Sequence, residues 1–190
     1  VVNLKSIPAS AKMLPKNIAG RAKMPQLKVL VFVGTEGIYH NHLDNGTFLA
    51  NNLKETWNIE ATVERNTSEL SPERLAPYDA CIFYTDVGDL TNAQEQSLLD
   101  FVASGKGFVG IHTANASFRK NRDYIDMLGC EFNYHSPYME FTVSMHDNDH
   151  PITEGLSDFQ ITDELHVTKH DPTKFHTLLK AHYEGKGQPM

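Results

Sequence analysis

Lys28-Val-Leu-Val-Phe-Val33, closed by Gly34, decides the fold of this chain. The run is short, continuously apolar and rich in β-branched residues, which is how a central strand covered on both faces of a parallel sheet looks. Asp79-Ala-Cys-Ile-Phe-Tyr84 and Gly107-Phe-Val-Gly-Ile-His112 repeat the pattern, while Ile59, Ala61 and Val63 alternate with polar neighbours as a shorter strand does. Leu43, Phe48, Leu49, Leu53 and Trp57 recur at helical spacing and predict a helix over about residues 44–57. Thr91-Asn-Ala-Gln94 has capping-box spacing ahead of Leu98, Leu99 and Val102, with Gly105 as the stop, and a further helix is expected from about Asp123 to Leu128, closed by Gly129. Strands and helices alternate, which predicts an α/β fold with a doubly wound parallel sheet.

The pattern changes after residue 135. Tyr138-Met-Glu-Phe-Thr-Val-Ser-Met145 has period two, and Phe159 to Ile161 and Thr177 to Ala181 are weaker strand candidates, so an added β segment follows the α/β core. Residues 1–26 hold Pro8, Pro15 and Pro25 with scattered Lys and no period, which predicts an N-terminal arm ahead of one domain over residues 27–190.

Composition narrows the function. A chain of 190 residues, 40% hydrophobic and 22% charged, is a packed domain that needs no disulfide staple. Its net charge of -7 argues against a sequence-independent grip on nucleic acid, which rests on Lys and Arg displacing phosphate counterions. No apolar run approaches the roughly 20 residues of a membrane span. The two cysteines, Cys81 and Cys130, form no C-x-x-C pair and are expected to be inert core thiols. Val1 stands where an initiator Met would, the expected mark of a processed or trimmed N-terminus, so no compartment is assigned. Neither nucleic acid, a membrane nor a nucleotide cofactor is expected as a partner, and a homo-oligomer is compatible with the composition.

In open α/β sheets ligands bind beyond the carboxyl ends of the strands. On that rule Glu36, Tyr39, His40, His42, Asp86, His112 and Thr113 share one rim. His112 stands at a strand-to-loop junction of the kind that presents a nucleophile in many α/β enzymes, yet the position holds neither Cys nor Ser, and the nearest hydroxyl is Thr113. Ten histidines invite a metal reading: His40, His112 and His135 as imidazole ligands of a divalent ion, with Asp163 or Glu164 supplying oxygen. The adjacent carboxylates Asp163 and Glu164 form a candidate general acid/base pair, provided that residues 136–166 fold back to the rim. Asp149 and His150, stiffened by Pro151, form a further polar cluster, with His150 a candidate substrate contact beside Glu36, Tyr39 and Thr113.

In order, the stretch from Lys28 to Val33, Gly37-Ile-Tyr-His40, Gly107 to Ala114, Phe132 to His135, Asp149-His-Pro-Ile-Thr-Glu-Gly155 and Asp163-Glu-Leu165 resemble the ThuA-like, or trehalose utilisation, family over about residues 28–190. The resemblance implies a flavodoxin-like sheet related to class I glutamine amidotransferases, with His112 where those enzymes carry their cysteine. It implies sugar metabolism through 3-keto intermediates, and recurrent polar positions at His40, His112, His135, Asp149, His150, Asp163 and Glu164. Two departures stand out. His166 occupies a position that is commonly Tyr, and the sequence stops at Met190, before the Gly-rich segment, strand and late Gly-His that the family usually carries, so it looks short at its C-terminus.

The reaction expected on this basis is acid/base elimination, hydration or hydrolysis of an oxidised sugar or glycoside. Glu164 is the base, Asp163 orients it or holds metal, and the imidazoles polarise the carbonyl directly or through a divalent ion. The alternative is a non-catalytic sugar-binding or accessory module, with Tyr39, Tyr84, Phe118 and Tyr134 available to stack on sugar rings. Cysteine-dependent amidotransferase or protease chemistry ranks last, because neither thiol is expected at the strand-loop junction.

Overall fold

A computed structural model of the chain describes residues 26–34, 40–86 and 88–189; the arm expected before residue 26 lies outside them. The described residues fall into two compact units, one ending at Leu128 and the other beginning at Gly129.

The first unit alternates strand and helix: β1 Lys28–Phe32, α1 His42–Trp57, β2 Glu60–Glu64, α2 Pro72–Leu75, β3 Ala80–Phe83, α3 Asn92–Ala103, β4 Gly107–Gly110 and α4 Arg122–Leu128. Its four strands are parallel in the order β2-β1-β3-β4. This is the flavodoxin-like order, and both faces are covered, as the opening run predicts. Val29, Val31 and Val33 pack against Leu43, Leu49, Ala50 and Leu53 of α1. Leu30, Phe32 and Phe83 pack on the opposite face against Leu75, Leu98, Phe101, Tyr124 and Ile125 from α2, α3 and α4.

The helix ends follow local chemistry. Thr91 and Gln94 form both halves of the capping box at α3. Asn41 caps α1, its side-chain oxygen accepting from the Asp44 N–H at 3.0 Å, so the helix begins at His42, two residues ahead of the expected start. The apolar face of α1 also differs from expectation. Phe48 is 53% exposed and Trp57 46%, and the buried positions are His42, Gly46 and Ala50, spaced by four along one stripe. The small Gly46 and Ala50 let the helix lie close to β1.

A Cβ at Gly46 would run into the Val33 Cγ1 atom. Gly46→Ala is therefore expected to destabilise the protein by about 1–2 kcal/mol, even though Ala is favoured over Gly in a helix by about 1 kcal/mol, because overpacking costs more than propensity returns. Urea unfolding measures the sign; a stabilised variant would show that α1 shifts freely on the sheet.

The second unit is β throughout. β5 Cys130–His135 pairs antiparallel with β8 His166–His170. β6 Met139–Met145, β7 Phe159–Asp163, β9 Leu179–Tyr183 and β10 Lys186–Pro189 form a sheet in the order β10-β9-β6-β7. Phe141, Val143, Ile161, Leu165 and Ala181 are its core, and Phe141 and Val143 are the inward residues of the period-two stretch. Among the described residues no helix is long and apolar enough to cross a membrane.

Candidate active site

β1 continues through α1 to β2 on one side, whereas β3 lies on its other side, so the connections diverge between β1 and β3. Ligands of open α/β sheets bind at the crevice beyond such a switch point. Chain leaving β1 carries His40 and His42, chain leaving β3 carries Tyr84 and Asp86, and chain leaving β4 carries His112 and Thr113.

His40 and His112 meet there. Their Nε2 atoms are 3.0 Å apart and their rings stand edge to face, with centroids 4.5 Å apart. At that distance one Nε2 carries a proton and the other accepts it. His112 reaches this position from a left-handed backbone, φ +50°, sparsely populated by non-glycine residues, at the start of a 3-10 turn over His112–Ala116. Its surroundings hold it. Ile111 N–H donates to the Phe83 carbonyl at 2.8 Å. The Tyr124 hydroxyl donates to the Ala114 carbonyl at 2.9 Å, and Ser117 Oγ donates to the carbonyls of Thr85 and Thr113 at 2.7 and 3.0 Å.

His42 lies behind this pair, fully buried. Its Nε2 is 3.1 Å from Thr113 Oγ1, its ring centroid is 4.7 Å from that of Tyr84, and Asp86 Oδ1 lies 3.7 Å from its Nδ1. The Tyr84 hydroxyl accepts from Asn45 Nδ2 at 3.1 Å. Burial holds His42 below the usual imidazole value of 6.5; the Asp86 carboxylate pulls against that shift and His40 adds to it.

With its folded value lowered, His42 takes up its proton more readily in the unfolded chain, so its contribution to stability is whole above about pH 6.5 and is lost as pH falls through the folded value. An NMR titration should find His42 less than half protonated at pH 6.5, with Tm declining as pH is lowered below that point; a His42 that is mostly imidazolium at pH 6.5 would reverse the assignment.

The thiols are elsewhere. Cys81 is buried in β3, where desolvation pushes its thiol up to about 12, and Cys130 opens β5. Phe118, at 1% exposure, is core and offers no face to a sugar.

In the second unit, His135 and His166 stand opposite one another across the β5–β8 pair. His135 Nδ1–H donates to the Ser136 carbonyl at 2.8 Å, so the neutral ring carries its lone pair on Nε2. Glu164 reaches both rings, with Oε2 3.5 Å from His135 Nδ1 and Oε1 4.0 Å from His166 Nε2. Asp163 is buried and its Oδ1 accepts the Glu164 N–H at 2.9 Å, which fixes the backbone that carries Glu164. His150 is not beside them. It sits in the connection from β6 to β7, at the end of that hairpin opposite Asp163, with its Nδ1 accepting from the Ile152 N–H at 3.2 Å. Glu36 and Tyr39 lie outside the described residues.

Two features had no signal in the sequence. His176 Nε2–H donates to Asp147 Oδ2 at 2.7 Å, which together with the Asp149 N–H lowers the Asp147 carboxyl, yet no spacing links residues 147 and 176. The placing of His135 opposite His166 depends on the β5–β8 register, which no local spacing announces.

No curated protein matches the sequence. In fold the chain is similar to a ThuA-like protein of Bacteroides uniformis, 20% identical with a TM-score of 0.72, covering 86% of this chain and 71% of that one. A ThuA-like protein of Parabacteroides merdae is 16% identical with a TM-score of 0.76, covering 87% of this chain and 74% of that one. A cytoplasmic protein of Salmonella typhimurium is 14% identical with a TM-score of 0.58, covering 82% and 79%. The family model for ThuA, trehalose utilisation, matches residues 28–190. Two covered faces on a β2-β1-β3-β4 sheet, an imidazole in the strained turn after β4 and that match agree: the chain belongs to the ThuA, or trehalose utilisation, family.

Proposed function

We propose that the protein is an enzyme of carbohydrate breakdown that acts on an oxidised, 3-keto sugar or glycoside by acid/base chemistry. The observation that carries this reading is the His40–His112 pair, two ring nitrogens 3.0 Å apart at the switch point of the parallel sheet. Once a substrate parts the two rings, the Nε2–H that one gave the other is a hydrogen-bond donor for a ketone oxygen as it gains charge. A ketone at C3 acidifies the C2 hydrogen; its removal leaves an enolate, and the C1 substituent departs with its bonding electrons and takes up a proton. Glu164 is the proposed base and Asp163 its positioning neighbour. The partner is a small sugar molecule, for which Thr113 and, from the sequence reading, Glu36, Tyr39 and His150 are proposed contacts.

A divalent ion fits the donor set of the first unit, because a tautomer shift that moves the shared proton to Nδ1 leaves two imidazole lone pairs side by side on Nε2. His40 and His112 would hold it, and His135 presents a lone pair of the same kind on Nε2. Such an ion supplies Lewis-acid polarisation of the carbonyl.

The test is turnover of a 3-keto-glucoside by the whole protein, with and without added divalent ions. Release of the C1 substituent is the expected result. Sugar binding with no product under either condition would instead identify a binding module.

A further inference from the structure

The chemistry above makes no use of His42, the fully buried imidazole of the first unit. Thr113 Oγ1 is 3.1 Å from its Nε2, within the range at which a base takes a proton from a hydroxyl. On the other side Nδ1 makes no hydrogen bond among the described residues, and Asp86 Oδ1 faces it at 3.7 Å. An imidazole nitrogen buried without a partner is costly, and the nearby Asp86 carboxylate is the acceptor that would satisfy it. Hydrogen bonds of catalytic groups are commonly long before substrate arrives. The three side chains come from the start of α1, the chain after β3 and the turn after β4, all at the carboxyl end of the sheet.

We propose that Asp86, His42 and Thr113 form a carboxylate–imidazole–hydroxyl relay that makes Thr113 Oγ1 a nucleophile toward small carboxylic esters, an activity separate from the keto-sugar reaction. Thr113 is the residue directly after the strained His112, so its hydroxyl stands one position beyond the turn residue at the end of the strand. Only 8% of Thr113 is exposed, so the acyl group it accepts is small, of acetyl size.

The steps balance. Thr113 Oγ1 bonds to the ester carbonyl carbon while its proton passes to His42 Nε2. The bond from that carbon to the alcohol oxygen then breaks, and the departing alkoxide takes the proton from Nε2. Water attacks the acyl-threonine, gives one proton to Nε2 and releases the carboxylic acid, and Thr113 Oγ1 recovers its proton. Asp86 accepts the Nδ1–H throughout and stabilises the imidazolium formed at each transfer. No oxidant, metal or cofactor takes part.

The experiment treats the whole protein with p-nitrophenyl acetate, follows p-nitrophenol release and locates the acetyl group by mass spectrometry after an acid quench. Acetylation of Thr113 is expected. Thr113→Val, which keeps the shape and removes the hydroxyl, should lose the enzyme-specific release; Thr113→Ser should restore it; Asp86→Asn should slow it by about 10²–10⁴-fold, through the wrong imidazole tautomer. Acetyl groups found only on lysines, or equal release by wild type, Thr113→Val and Thr113→Ser, each with an unchanged melting curve, would overturn the proposal. A protein inert toward 3-keto-glucosides but acetylated at Thr113 would sink the sugar reading and leave this one standing.

Discussion

Glu164→Gln is expected to reduce turnover of a 3-keto-glycoside by about 10²–10⁴-fold, the usual contribution of a positioned general base. The substitution is isosteric, so shape survives and only the capacity to take a proton is lost. Its cost in stability should be small. The side chain is 25% exposed, and its approaches of 3.5 Å to His135 Nδ1 and 4.0 Å to His166 Nε2 are longer than hydrogen bonds. The Glu164 N–H keeps its bond to Asp163 Oδ1 at 2.9 Å, because that bond belongs to the backbone. A large fall in kcat with Tm held constant is thus the signature of a base, whereas a parallel fall in both would mark Glu164 as a structural brace for the two imidazoles. Undiminished turnover removes Glu164 from the mechanism altogether. His135→Ala adds a control, since it takes away one neighbour of Glu164 and leaves the carboxylate in place.

The difference between what the sequence revealed and what it concealed follows the range of the interactions. The Val29 to Val33 run needs only its own composition to say that both faces are covered, and the Thr91–Gln94 capping box closes within four residues; both are present as expected. Helical spacing of apolar residues puts Phe48 and Trp57 on the buried face of α1, because it weighs hydrophobicity alone. The contact with the sheet instead takes the small Gly46 and Ala50, with the buried His42 one turn ahead of them on the same stripe. β8 and β10, His-Val-Thr-Lys-His and Lys-Gly-Gln-Pro, carry few apolar residues, and their strand character comes from pairing with β5 and β9. The site divides in the same way. The rule for open sheets placed His40, His42, Asp86, His112 and Thr113 at strand ends, and the first unit gathers them. It could not supply the His42–Thr113 bond, which joins residues 71 positions apart and is set by how α1 starts against the turn after β4.

Phe83→Ala is expected to cost about 3–5 kcal/mol, as large a loss as any single side chain in the first unit should produce. Phe83 is fully buried in β3, and its ring centroid lies 5.0 Å from that of Phe32, 5.1 Å from Phe108, 6.2 Å from Phe118 and 6.4 Å from Tyr124. Those partners come from β1, β4, the segment after the 3-10 turn and α4, so no single movement closes the space left behind. The transfer free energy of the lost ring and the cavity it leaves therefore add. For a chain of this length such a loss should lower Tm by roughly 6–20 °C and shift the urea midpoint with little change in slope. The damage should also reach the chemistry. The Phe83 carbonyl accepts from Ile111 N–H at 2.8 Å, and the residue after Ile111 is His112 with its left-handed backbone. Phe83→Leu, which refills much of the volume, should recover more than half of the stability. If Phe83→Ala costs less than about 1 kcal/mol, the aromatic cluster collapses around the gap, and the turn that presents His112 and Thr113 does not depend on a rigid floor.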